Sequence, residues 1–483
     1  MMLETLLRKI QQAPDFPAFS RTVQEVSALV ADHDQRSIND LCALVLRDVA
    51  LTKKVLAVAN TFSVREARGA VHTVSRAAML LGFEEVRKIA LTLVLFEHLQ
   101  GQGHAGQLLG RMLQALFGAL LAQALARPLR VGGDEQVFLA ALFQHLGPLL
   151  IYRHLPEAVP EIERLRMEDG LDEKTAILRA TGIVSDQLGR EVASRWGLPD
   201  GLRAAMRPIP VNLQRDEIPS QQQLPWMASF ANAGVSILLR VRSSRQAEAE
   251  FEEQGRLAGI ESEIVQGALE EARDLMAIYA RLIEGAGVAS DILARLGGNL
   301  PTDLSQEESP PAPAGASGVE RLLGGVEDVT ASLLGDYTLP GLFSSILETL
   351  YQGLDLSLVT LLLHDPRSRV LRTSMGYGEH GGDVLKGGEL SMQAAHPIVD
   401  ILLGGEDRVV HRQPPPGGRK EAWSWAAADA DTALILPVYV NRRPVGVFYA
   451  EGRSASLTSD ALKVVKTLRN QAALAVMNKS GRA

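Results

Sequence analysis

Phe138-Leu-Ala-Ala-Leu-Phe-Gln-His-Leu-Gly-Pro-Leu149 is an apolar helical run in which one amide and one imidazole, Gln144 and His145, stand side by side. A carboxylate beside an imidazole binds divalent metals and can activate a bridging water. A neutral amide is a weak ligand, so Gln144-His145 would hold such a metal poorly. The periodicity predicts one helix over 135–154. Outward from it, similar patterns predict helices at 41–46, after the capping-box-like Ser37-Ile-Asn-Asp40, and at 49–58, interrupted by Asn60 and Ser63. Others are expected at 75–81, ended by Gly82, and at 84–99, 108–126, 173–180, 185–196, 200–206, 227–239 and 260–283. No alternating strand pattern divides them, which argues for an all-α domain.

The character changes after Leu300. Ser305-Gln-Glu-Glu-Ser-Pro-Pro-Ala-Pro-Ala-Gly-Ala-Ser-Gly318 has nothing large and apolar to bury and reads as a linker. Beyond it, helices are expected at 318–334, 339–352, 396–403 and 459–476, and strands at 356–364 and 370–374. Ala433 to Val440, the turn Asn441-Arg-Arg443 and Pro444 to Glu451 read as a β-hairpin. The expected organisation is thus an all-α domain over 1–299 (core about 13–207), a linker over 300–317 and an α+β module over 318–483.

With 483 residues, 46% apolar and 22% charged, the composition is that of a globular protein with two or three domains. A net charge of −8 argues against broad electrostatic binding to nucleic acid or an anionic membrane. The single cysteine, Cys42, forbids an intramolecular disulfide and lies in an apolar pattern, so it reads as a buried thiol. Absence of signal-peptide anatomy leads to the expectation of a cytoplasmic, bacterial-type protein. His33-Asp34 is a literal His-Asp pair, but no apolar helix presents it, so it reads as a solvated turn. His98 and His104 read likewise. Gly324-Gly325 lacks the strand–loop–helix context of a phosphate cradle. Glu248-Ala-Glu-Phe-Glu-Glu253 reads as a solvated helix face.

Arg47-Asp-Val-Ala-Leu-Thr-Lys-Lys-Val-Leu-Ala-Val-Ala-Asn60, Val74-Ser-Arg-Ala-Ala-Met-Leu-Leu-Gly82, Trp196-Gly-Leu-Pro199 and the opening Pro14-Asp-Phe-Pro17 occur in one order. With them the first part resembles the HDOD family, the HD-related output domains of bacterial signalling proteins. The resemblance implies that the metal-ligand positions of catalytic HD proteins fall at Gln114, Gln144, His145 and Ser185, with Ile209-Pro210 where a His-His pair often follows. This many substitutions imply a domain that is not an enzyme and holds no metal or cofactor. The hairpin Ala433-Leu-Ile-Leu-Pro-Val-Tyr-Val-Asn-Arg-Arg-Pro-Val-Gly-Val-Phe-Tyr-Ala450 resembles that of GAF domains, which bind small ligands or dimerise in signalling proteins.

Tyr377, Arg412, Trp423, Trp425 and Tyr439 are the candidate ligand-pocket residues of the second module, since aromatic faces beside arginine suit a planar or anionic ligand such as a cyclic nucleotide. Each also reads as simple packing. The expected protein is a catalytically inactive signalling platform with signalling proteins as partners. Two alternatives stand beside it: a cyclic-dinucleotide phosphodiesterase with an unorthodox metal site around His145, and a structural homodimer formed through 318–334 and 459–476.

Overall fold

The computed structural model describes residues 2–13, 21–26, 36–65, 70–99, 105–240, 243–280, 294, 296, 317–335, 337–378, 389–412 and 426–480. Among them the helices run α1 (Met2–Gln11), α2 (Arg36–Leu46), α3 (Val49–Arg65), α4 (Val74–Leu81), α5 (Phe83–Leu99), α6 (Ala105–Leu129), α7 (Asp134–Phe143) and α8 (Leu146–His154). They continue as α9 (Val159–Met167), α10 (Glu173–Thr181), α11 (Ser185–Arg195), α12 (Asp200–Ala205), α13 (Gln223–Arg240), α14 (Ser244–Leu257) and α15 (Ser262–Ala280). The C-terminal part consists of α16 (Gly318–Leu334), α17 (Leu339–Gly353), β1 (Leu358–Asp365), β2 (Val370–Gly378), β3 (Glu389–Ser391), α18 (Pro397–Gly404), β4 (Arg408–His411), β5 (Thr432–Val440), β6 (Arg443–Gly452) and α19 (Ser459–Ser480). These elements form two compact units, Met1–Ala28 with Arg87–Glu308, and Leu29–Val86 with Ser309–Ala483. The segment 29–86 therefore shares a unit with the strand-bearing part. The Pro14–Pro17 motif, His33-Asp34, His104 and most of the 300–317 segment lie outside the described residues.

In the first unit α6 is the central helix, with α7, α13 and α15 packed against it. Its stretch Gln107–Leu129 is long and apolar enough to cross a membrane, but most of its hydrophobic window is buried within the fold. The single helix predicted over 135–154 is instead two, α7 and α8, broken at Gln144 and His145. Pro148 explains the break. A continuous helix needs the amide of residue 148 to bond the carbonyl of Gln144, and proline has no N–H to give. Within the first turn of a new helix that amide would be unpaired anyway, so Pro148 is accommodated there. Helix α9, which periodicity missed, and α14, whose charged run reads in the sequence as a solvated helix face, complete the unit. In α14 the charged run Glu248–Glu253 rides over a buried Ala247, Phe251 and Gly255.

The second unit carries an antiparallel sheet of order β3-β2-β1-β6-β5-β4. Short edge strands β3 and β4 were not foreseen in the sequence. The β5–β6 turn places Asn441 and Arg442 at φ 51° and 64°, the paired left-handed residues of a tight hairpin. Helices α17 and α19 pack on one face and α18 on the other. Helices α2–α4 belong to this unit: α4 packs on α17, and α2 on β2. Asn60 does not interrupt its helix, as periodicity had suggested. Its buried side chain donates to the carbonyls of Leu56 and Val71 at 2.9 and 2.7 Å and accepts from the Val71 amide at 2.7 Å. An asparagine inside α3 thus pins the loop that leads into α4.

Helices α8 and α11 touch through glycine. A Cβ built on Gly147 would lie 1.8 Å from the Ser185 carbonyl oxygen, and one on Gly189 would lie 2.9 Å from the Gly147 amide nitrogen. Gly267, exposed in α15, has nothing within 4 Å of such an atom. Gly147→Ala should therefore destabilise the protein by about 2 kcal/mol or more, as overpacking does. Gly267→Ala should stabilise it by about 0.5–1 kcal/mol through helix propensity. Thermal melting of the two variants against the parent checks the opposite signs.

Candidate functional sites

The α7–α8 break turns Gln144 into the unit's interior, where its amide is used up by the protein. Nε2 faces the Ser229 hydroxyl at 3.1 Å and the carbonyls of Pro225 and Ala205 at 3.3 and 3.4 Å. Oε1 accepts from Asn232 Nδ2 at 3.0 Å, and the same Asn232 nitrogen also donates to the Ala141 carbonyl at 3.1 Å. Ser229 donates to the Pro225 carbonyl at 2.8 Å and accepts from the Ile209 amide at 3.0 Å. One side chain thereby ties α7 to α12 and α13, and the hydroxyl that supports it also fixes the Ile209-Pro210 segment.

His145 caps α8, so it does not share one straight helix with His154. Desolvation lowers its pKa below the ordinary histidine value, with Glu173 and the Asn232 side chain opposing that shift and Lys174 and Arg111 adding to it. Burial thus favours the uncharged ring. Gln114 accepts from Arg111 at 3.3 Å. Arg111 pairs with Glu163 at 2.8 Å and Glu173 at 3.0 Å, and its guanidinium lies 5.3 Å from the Tyr152 ring centre. Tyr152 donates to Glu163 at 2.7 Å. This ion-paired cluster went unnoticed in the sequence, because its members sit on three helices and a helix end. Ser185 is buried at the start of α11, its carbonyl against Gly147. Among the described residues no group of three or more His, Cys, Asp or Glu side chains is placed to hold a metal ion.

In the second unit, the pairing register separates the proposed pocket residues. Tyr377 on β2 faces Val359 of β1 and is buried, its hydroxyl 2.5 Å from the Ser344 hydroxyl of α17. Tyr439 packs on the other sheet face, against a cluster of Leu358, Leu362, Ile398, Leu402, Ile435 and Val447 among others, and donates to the Leu402 carbonyl. Arg412 donates to the carbonyls of Ala428 and Ala427 at 2.9 and 3.0 Å, which fastens the approach to β5. Trp423 and Trp425 lie outside the described residues. The α18-side face of the sheet is thus packed with the unit's own side chains. Glu451, buried at the end of β6, accepts from the Ala427 amide at 2.7 Å and from the Tyr449 hydroxyl. An open cavity of about 470 Å³ is lined by Tyr439, Arg442, Arg469 and the Gly404-Gly405 end of α18. Arg469 pairs there with Asp407.

Changing Gln144 to Asp would place a carboxylate beside His145, but it would aim negative charge at carbonyls and remove the hydrogen bond given to Ser229. Because the group is buried, Gln144→Asp should cost about 3 kcal/mol, against about 1–2 kcal/mol for loss of one hydrogen bond in Ser229→Ala. Chemical denaturation of both variants tests the ranking.

The HDOD domain family matches residues 16–209, and the GAF domain family matches residues 337–477. Among solved structures, an HDOD domain protein from Geobacter sulfurreducens is 19% identical, covering 59% of this chain and 97% of its own, with a TM-score of 0.45. A Shewanella amazonensis protein described as a candidate phosphohydrolase is 18% identical over 60% of this chain and 97% of its own, with a TM-score of 0.43. The GAF domain of an Acinetobacter phosphoenolpyruvate-protein phosphotransferase is 12% identical over 34% of this chain and 95% of its own, with a TM-score of 0.28. No curated protein matches the chain. The chain therefore carries an HDOD domain over residues 16–209 and a C-terminal GAF domain over residues 337–477.

Proposed function

We propose that this is a non-catalytic signalling protein of the cytoplasm, in which the HDOD domain is a regulatory platform for other signalling proteins and the GAF domain controls it. The observation that carries this reading is the amide network around Gln144. A metal site needs anionic or imidazole ligands with free lone pairs, whereas the Gln144 amide is spent on Ser229, Asn232 and two backbone carbonyls. His145 would remain as a lone imidazole, and the fixed charge of Arg111 disfavours a cation near it.

A second reading adds a ligand to the GAF domain. Tyr439, Arg442 and Arg469 line the open cavity on the α18 side, and that lining suits an anionic small molecule such as a cyclic nucleotide.

The purified full-length chain, supplied with Mn²⁺ or Fe²⁺, should hydrolyse neither cyclic dinucleotides nor an activated phosphodiester above the metal-only background. Bound metal should stay well below one equivalent and be unchanged by His145→Ala. Stoichiometric metal that disappears in His145→Ala, together with turnover, would show the phosphodiesterase alternative to be correct. For the ligand reading, a saturable rise in melting temperature with a cyclic nucleotide, lost in Arg442→Ala, is the expected sign.

A further inference from the structure

Within the second unit, the loop and helix start at His72–Ser75 are received by two buried carboxylates of the GAF region. Glu348 on α17 is fully buried and Asp328 on α16 is 1% exposed. Glu348 accepts from the Val74 amide at 2.5 Å, the Ser75 amide at 2.8 Å and the Ser75 hydroxyl at 2.6 Å. Asp328 accepts from the His72 amide at 2.9 Å and the Thr73 hydroxyl at 2.8 Å. The Thr73 hydroxyl lies 3.1 Å from that of Ser345, and Arg76 donates to Ser332 at 3.0 Å. The first amides of a helix have no partner inside it and carry partial positive charge, so a carboxylate is their natural acceptor. Two glycines permit the approach. A Cβ on Gly324 would meet the His72 ring at 2.8 Å, and one on Gly341 would meet Met79 Sδ at 3.1 Å.

We propose that Asp328 and Glu348 form a clamp by which α17 of the GAF domain and the preceding helix α16 hold the HDOD helices α2–α4 as an arm, and that release of this arm is the structural event through which the GAF domain signals. The inference deepens the signalling reading above and rests on it for its biological meaning, while the clamp itself is independent of catalysis. The matched HDOD segment begins at residue 16 and the matched GAF segment at residue 337, so Glu348 reaches across the family boundary. Its surroundings also make the clamp sensitive to protons. Burial pushes both carboxyls up to about 7, opposed by their hydrogen bonds to the arm. The groups facing them are Cys42, Thr73 and Ser75 from the arm, Ser344, Ser345 and Gln352 from α17, Tyr377 from β2, Arg76 beside Asp328, and Glu348 itself, whose charge also raises Asp328. A carboxyl whose pKa is raised by folding stabilises the folded state fully below its unfolded value, and that contribution is lost as pH rises through about 7. The hydrogen bonds from the arm favour the ionised carboxyls and burial disfavours them, so this loss falls on the packed unit as a whole.

The test is amide hydrogen exchange on the full-length chain with Glu348→Gln and the milder Ser75→Ala. Both variants should speed exchange across residues 74–81 by about tenfold or more, the effect of losing a hydrogen bond to a charged group. Exchange in the β5–β6 hairpin and in α6 should stay at parental rates. The parental melting temperature should also fall between about pH 5 and pH 7 more steeply than that of Glu348→Gln. Unchanged exchange over 74–81 in both variants would show that the carboxylates do not hold the arm. Equal acceleration across the arm and the hairpin would show one inseparable core instead of a clamp. Either of those results leaves the non-catalytic reading standing, because that reading is decided by metal content and hydrolysis.

Discussion

The fold of the second unit depends on one carboxylate placed at one helix start. Glu348 gives up all contact with water and receives two backbone amides and a hydroxyl from the first turn of α4. A buried carboxylate without such donors would cost several kcal/mol, and the first amides of a buried helix without an acceptor would be costly too. Each group removes the other's penalty. Neither the sequence segment around Ser75 nor the one around Glu348 is complete alone, which is why the compact unit gathers residues from both ends of the chain.

The first unit solves a different problem with the same chemistry. At the α7–α8 break a side chain must occupy a buried polar corner where two backbone carbonyls, a hydroxyl and the Asn232 amide converge. A neutral amide, which both donates and accepts, satisfies them all, whereas a carboxylate could not donate to any. Gln144 is thus a structural fit to this corner as well as a poor metal ligand. The ion-paired Arg111 follows the same trend toward a site organised by internal bonds.

Much of this was legible in the sequence, for identifiable reasons. The core helices α5, α6, α16, α17 and α19 announce themselves by apolar periodicity, and the hairpin does so through its Asn441-Arg442 turn. The family resemblances gave the order of the modules. What could not be read is what depends on contacts between distant segments. Pro148 breaks a helix that periodicity alone would continue. Asn60 looked like a stop signal because its partners, Val71 N and O, lie in a later loop. Glu348 lies within the helix expected over 339–352, and nothing local shows that its oxygens serve residues more than 270 positions earlier. Tyr377 and Tyr439 seemed to share a pocket, but strand parity puts them on opposite faces of the sheet.

The most direct test of the account is a double-mutant cycle on Ser75 and Glu348, with the free energy of local opening of α4 read from native-state exchange. If the carboxylate holds the helix start, Ser75→Ala and Glu348→Gln should couple by about 1–3 kcal/mol, as contacting residues do. Additivity within about 0.5 kcal/mol would mean that the two side chains act independently, and that Glu348 does not bind the HDOD segment to the GAF domain.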